Sequence, residues 1–186
     1  MNDSVKSAHA CALAAMVLAI GLLAHSADAA GKSKQFSGMS FLDNGKVRLG
    51  VNLDIGGAIT YLADSAKRVN VINSYDWGRQ IQMSFYSGPI PFEPNGKKPS
   101  EHWKKLGWNP IQSGDYKSFR SKVTAHTNDG KTIYVKCIPM QWPLDNEPGE
   151  CTFECRLSLE GKTVRVWSRL NNARRDKTQY IGRSQE

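Results

Sequence analysis

The sequence predicts an all-β protein, an antiparallel β-sandwich with one long aromatic-rich loop. Three observations carry that reading. Several short segments alternate apolar and polar residues with a period of two, the spacing of a half-buried strand. Turn residues punctuate those segments, twice as two-residue hairpin signals. And outside the first thirty residues no window shows a convincing amphipathic helix; the only candidate, "SEHWKKLG", is about two turns long.

The chain opens with a targeting segment rather than with the fold. Lys6 supplies a short positive region, Ala10 to Leu23 form an apolar run of 14 residues, and Ala27-Asp28-Ala29 is an A-x-A-like cleavage site. The run is short of the ~20 residues that cross a bilayer comfortably. Residues 1–29 therefore read as a secretory signal peptide, and the protein as secreted or periplasmic, with no stable membrane span once the signal is removed. Residues 30–44, beginning "AGKSKQ", read as a flexible lead-in, and residues 45–186 as the sandwich domain.

Within that domain Val47, Leu49, Val51, Leu53 and Ile55 alternate with Arg48, Gly50, Asn52 and Asp54 as one strand. Gly56-Gly57 breaks it and "AITYLAD" resumes as a second. "VNVINSYDWG" and "RQIQMSFYS" read as a third and a fourth extended piece. Residues 88–115 then form a loop rich in Pro, Gly and Asn. A loop of that length in a compact domain is usually functional or disordered, and Phe92, Trp103 and Trp108 argue against simple disorder. "TNDGK" and "LEGK" mark two hairpins between strong strands near the end of the sequence.

The formal net charge is +8, rising to about +9 when residues 1–29 are removed. That charge admits an acidic polymer as partner. It does not point to nucleic acid, because the basic residues are scattered pairs and no helix or finger signature accompanies them. Cys137, Cys151 and Cys155 follow the signal segment. Cys151 and Cys155 share one face of a strand, ~13 Å apart at strand rise, so they cannot bridge each other. Cys137, in the preceding strand, could pair with Cys151 or Cys155; equally, all three could be small buried hydrophobes. No CxxC-type pair suggests a metal site, and no motif suggests a cofactor.

Three constellations are candidates for function. In residues 79–86, parity places Ile81, Met83 and Phe85 on a core face, with Arg79 on the same side at the strand entrance, and Gln80, Gln82, Ser84 and Tyr86 as a polar ladder on the other. Glutamine amides donate and accept, which suits sugar hydroxyls. Arg79 could instead anchor the preceding turn through Asp76. In "WKKLGWNPIQSGD", Trp103 and Trp108 could act as stacking platforms beside Asn109, Gln112 and Asp115, or could pin the loop to the core. In "VRVWSRLNN", Trp167 between Arg165 and Arg169 could grip an anionic sugar or make cation–π contacts with its strand neighbours. Catalytic signals are weak. His102, in the long loop with Glu93, Glu101 and Asp115, is the better general-base candidate. His126 sits before a turn and is expected to be exposed.

"LGVNLDIGGAITYLAD" followed by "NVINSYDWGRQIQMSFY" resembles the opening of the galactose mutarotase-like β-sandwich superfamily, whose Gly-rich hairpin leads into a Gly-Arg-containing strand at the sugar cleft. The resemblance extends over residues 45–186 and covers the N-terminal half of such a fold. It implies a carbohydrate ligand and carries over Arg79 as a sugar contact. The His-Gly-Gly loop of the mutarotases is missing, so epimerase activity is not implied. The sequence thus suggests a carbohydrate-binding protein without a complete catalytic site, binding through Arg79, Gln80, Gln82, Tyr86, Trp103, Trp108, Asn109 and Asp115. Its alternatives are a sugar-modifying enzyme using His102 and a non-enzymatic cell-envelope interaction domain.

Overall fold

A computed structural model describes residues 35–73, 80–86, 97–99, 101–105, 110–174 and 181–182. The signal segment, Arg79, Trp108 and Asn109 lie outside the described residues. The architecture is all-β, with three antiparallel sheets. Among the described residues no helix is long and apolar enough to cross a membrane.

The first sheet has the order β1-β2-β3, with β1 at Met39–Asp43, β2 at Val47–Asn52 and β3 at Ala58–Asp64. β1 falls inside the stretch assigned from sequence to a flexible lead-in. It is ordered because Leu42 is buried opposite Leu49, and Ser40 is held from the facing sheet by His126 Nε2 at 2.9 Å and Asn128 Nδ2 at 3.0 Å. His126 is accordingly half-buried rather than exposed. The β1–β2 turn is Asn44-Gly45: Gly45 takes φ 79°, and the Asn44 side chain accepts from the amides of Lys46 and Val47.

The strand expected to run through Ile55 stops at Asn52. Asn52 caps a single 3-10 turn, Leu53–Ile55, which ends on Gly56 at φ 67°. Gly57 follows at φ 81°, where a β-carbon would lie 2.6 Å from Val135 Cγ1. The Gly-Gly step is thus required twice over, for its left-handed backbone and for the close approach of the two sheets. β3 begins at Ala58, where "AITYLAD" predicts it. Beyond it, residues 69–73 form no strand, yet they close the β3 edge. The Asn70 amide takes the place of a strand backbone, accepting from Leu62 N and donating to Thr60 O, and Val71 N donates to Leu62 O.

The second sheet has the order β10-β9-β7-β6. Its two hairpins are the predicted ones: β6 Lys122–Asn128 with β7 Thr132–Ile138 across "TNDGK", and β9 Cys151–Glu160 with β10 Thr163–Asn172 across "LEGK". The main core lies between these two sheets. Leu42, Leu49, Val51, Leu53 and Ile59 meet Val123, Ile133, Val135, Cys137 and Leu157, with Met83 closing one side. The three cysteines stand as free thiols. In the ladder Cys137 lies opposite Phe153, two residues from both Cys151 and Cys155. Burial raises the Cys137 thiol strongly and pushes Cys155 up to about 11, so both act as packing groups.

The third sheet is made of fragments: β4 Phe85–Tyr86, β5 Pro110–Gln112, β8 Met140–Gln141 and β11 Ile181–Gly182, in the order β11-β4-β5-β8. Residues 80–86 do not form the continuous strand that parity assumed. Ile81 makes one isolated bridge to Ile59, and regular pairing resumes only at Phe85. Without an unbroken pleat the alternation of faces lapses. Ile81 is 52% exposed, whereas Gln80 is buried at 7%. Met83 is buried and Phe85 packs on the core, as parity placed them.

Candidate functional site

The third sheet and the loops around it frame a small pocket of about 50 Å³, open to solvent. Gln80 and Gln82 line it from the segment before β4, and Gln112 from the end of β5. Asp115, Phe119 and Arg120 come from the turn that follows, Trp142 from the end of β8, and Ile55 from the 3-10 turn. Three residues singled out from sequence, Gln80, Gln82 and Asp115, therefore meet in one place although Asp115 lies more than thirty positions from the two glutamines.

Gln82, Gln112 and Asp115 each have a definite task. Gln82 Oε1 accepts from Ser113 N at 2.9 Å, which ties the two walls together. That leaves the Gln82 Nε2 donor without a partner among the described residues. Gln112 Nε2 reaches Ser84 Oγ at 3.4 Å, leaving the Gln112 Oε1 acceptor similarly available. Asp115 is committed to structure. Its Oδ1 accepts from Lys117 N and Phe119 N at 2.9 Å, and its Oδ2 from Asn146 N at 2.7 Å. These bonds hold a tight turn in which Ser118 adopts φ 71° and which lifts Phe119 to the surface, 43% exposed. The pocket is thus lined by carboxamides, an arginine and an aromatic ring, on a rim set by one buried carboxylate.

The tryptophan loop stands behind this pocket. The Trp103 ring lies 4.3 Å from that of Trp142 and 6.1 Å from that of Tyr116, and its Nε1 is buried without a hydrogen-bond partner among the described residues. Trp103 is a pin that fixes the loop against the pocket wall. His102 meets Trp103 edge-on at 4.5 Å and is otherwise exposed. It is not among the residues lining the pocket. Glu101 forms an ion pair with Lys104. Tyr86 lies in β4, half-buried, paired with Pro110, and does not line the pocket. Residues 101–105 form turns rather than a helix.

The sequence reading named Gln112 beside Asp115 but missed Arg120, Phe119 and Trp142 as pocket residues. The signal for the first two was present: Asp115 followed by Lys117 and Ser118 has the character of an Asx turn, and such turns display the residues after them. Nothing local marks Trp142, because sheet pairing between distant segments brings it in.

The third constellation resolves into cross-strand packing. On the outer face of the second sheet, Tyr134, Arg156 and Trp167 lie side by side across three strands, and Lys136, Glu154 and Arg169 form the next row. The Arg156 guanidinium sits 4.7 Å from the Trp167 ring and 5.6 Å from that of Tyr134; Arg169 is 5.8 Å from Trp167. Arg165 turns away to Glu160. Glu154, 3% exposed, receives Arg169 Nη2 on both oxygens at 2.9 Å, Tyr134 Oη at 3.1 Å and Asn171 Nδ2 at 3.1 Å. Arg169 above all, then Tyr134 and Lys136, hold its carboxyl below the usual carboxylate range, while burial and the bond to Glu154 push the Tyr134 phenol up.

Among the described residues no group of three His, Cys, Asp or Glu side chains gathers as a metal site. No family model, no curated protein and no solved structure matches the chain.

Proposed function

We propose that this is an exported carbohydrate-binding protein, and that its ligand sits in the pocket between the third sheet and the Asp115 turn. The observation that carries this reading is the convergence of Gln80, Gln82 and Gln112 with Arg120 and the exposed Phe119 ring. Carboxamides read hydroxyl groups in both directions, and an aromatic rim residue offers a flat face to the C–H side of a pyranose. A sugar ligand is also what the mutarotase-like resemblance of residues 45–186 implies. The pocket favours binding over turnover. Asp115 is occupied by three backbone amides, and His102 stands on the Trp103 side of the loop.

Binding to an array of neutral and uronate-containing oligosaccharides tests the proposal, followed by titration of the best glycan. Phe119→Ala and Arg120→Ala change exposed side chains and are expected to weaken binding about tenfold or more each, the loss of one good contact, with melting temperature unchanged. Absence of any glycan ligand, or affinity indifferent to both substitutions, overturns the reading.

A further inference from the structure

β10 stands apart from the other long strands in being exposed on both faces. Outward, Trp167 and its neighbouring arginines meet solvent; inward, Val166 is 54% exposed, while Val164 and Leu170 are only half-buried. One edge of β10 pairs with β9 over ten residues with no register shift. No strand among the described residues pairs with the other. Natural sheets blunt such an edge with a proline, a bulge or an inward-pointing charge. "TVRVWSRLNN" has no proline, its pairing shows no bulge, and its inward positions carry no charge.

The facing edge is handled differently, since Asn70 and Val71 close β3. Between the two edges runs a groove lined by Leu62, Val71 and Val164, with Lys46 and Lys162 against Asp64. It is apolar where β10 faces inward and carries more cationic than anionic groups. β10 itself contains two arginines and no acidic residue. Arg165 is ion-paired to Glu160 and Arg169 to Glu154 on β9, and the face stays basic because Lys136 and Arg156 add two more cations.

The geometry points to β10 as a docking edge for an extended acidic segment of another protein, added as a further strand of the second sheet. Backbone hydrogen bonds along β10 supply affinity in this mode, and alternate side chains supply specificity. Apolar residues of the incoming strand enter the groove beside Val164 and Val166. Its Asp or Glu residues face outward beside Arg165 and Arg169. A second copy of the chain fits less well: antiparallel pairing centred on Trp167 sets Arg165 of one copy opposite Arg169 of the other, and directly opposed like charges destabilise a sheet.

The test uses the full chain and two blocked, fluorescein-labelled octapeptides, (Val-Glu)4 and (Val-Lys)4, with binding read by anisotropy and the site by amide exchange. The glutamate peptide is expected to bind at least about tenfold more tightly than the lysine peptide, as charge complementarity across an interface requires. It should also slow exchange within residues 163–172. Val166→Lys places a charge on the inward side of the edge at an exposed position, so the fold is kept while binding of the glutamate peptide falls about tenfold or more. Arg165→Glu is expected to reverse the preference between the peptides. Equal affinity for both peptides, protection outside residues 163–172, or affinity unchanged in Val166→Lys overturns the proposal. So does concentration-dependent dimerisation that protects residues 163–172 without peptide, which would assign the edge to a second copy.

Discussion

The two-sheet sandwich and the small third sheet are built from the same chain by opposite means. The sandwich rests on long hairpins, ten paired residues in β9–β10, and on a continuous core whose residues alternate in sequence. The third sheet has strands of two or three residues, and side chains hold it where backbone ladders would not suffice. Gln82 clasps Ser113, and the Asp115 carboxylate collects three amides. Repetitive pairing gives stability spread over many contacts; side-chain clasps give a defined pocket that depends on a few atoms. The proposed ligand site lies in the second kind of region, where Gln80, Gln82, Phe119 and Arg120 are displayed on irregular backbone and Gln112 at the end of a three-residue strand.

The largest expected effect therefore belongs to the sandwich. Leu157, 1% exposed, packs from the middle of β9 into the core shared by both sheets. Leu157→Ala is expected to cost about 2–5 kcal/mol, the range for a truncated core leucine, and to lower the denaturant midpoint for the whole molecule. Chemical denaturation followed by both intrinsic fluorescence and circular dichroism should show one shifted transition. A loss confined to the tryptophan signal, with the β-sheet signal unmoved, would break the distinction drawn between the two regions.

Asp115→Ala tests the other side. It leaves three backbone donors without their acceptor, which costs on the order of 1–3 kcal/mol when such groups stay buried. The loss should be local. Amide exchange is expected to accelerate at Lys117, Phe119 and Asn146 while the β9–β10 ladder keeps its protection, and glycan binding should fail because the turn no longer presents Phe119. Asp115→Asn keeps one acceptor oxygen and should fall between the two.

The same contrast governs what could be read from sequence. The hairpins at "TNDGK" and "LEGK" and the strand "AITYLAD" were legible because alternation and turn chemistry are local and mutually consistent. β1 was not, since it buries little beyond Ser40 and Leu42, though Asn44-Gly45 is a hairpin signal of the strongest kind. In residues 80–86 the alternation was present but the pleat was not, so Gln80 turned inward and Ile81 outward. Gln80, Gln82 and Asp115 were recognised as polar residues with a purpose, yet their meeting with Gln112 and Trp142 depends on pairings β4–β5 and β5–β8 that span distant segments. Trp103 shows the limit of residue type as evidence: a tryptophan beside amides suits a sugar platform, and here it packs on another tryptophan.

The smallest expected effects separate two ion pairs on one sheet face. Arg165–Glu160 and Arg169–Glu154 both measure 2.9 Å. They differ in setting, because Glu160 and Arg165 are both largely in solvent whereas the Glu154 carboxylate is covered and bonded by Tyr134 and Asn171 as well. Arg165→Ala should change stability by less than about 0.5 kcal/mol, as exposed pairs do. Glu154 titrates below its ordinary value of 4.5 in the folded protein, so the folded state binds this proton less readily than the unfolded chain. Its stabilisation is complete above that ordinary value and is lost as pH falls through the depressed folded value. Arg169→Ala removes the main cause of the depression. The variant should be less stable than the parent near neutrality, and the gap should close in acid once Glu154 is protonated in both. Denaturant midpoints measured from pH 7 down to pH 3 read this directly: a gap that persists unchanged into acid would mean that Arg169 acts by packing on Trp167 and not through the carboxylate.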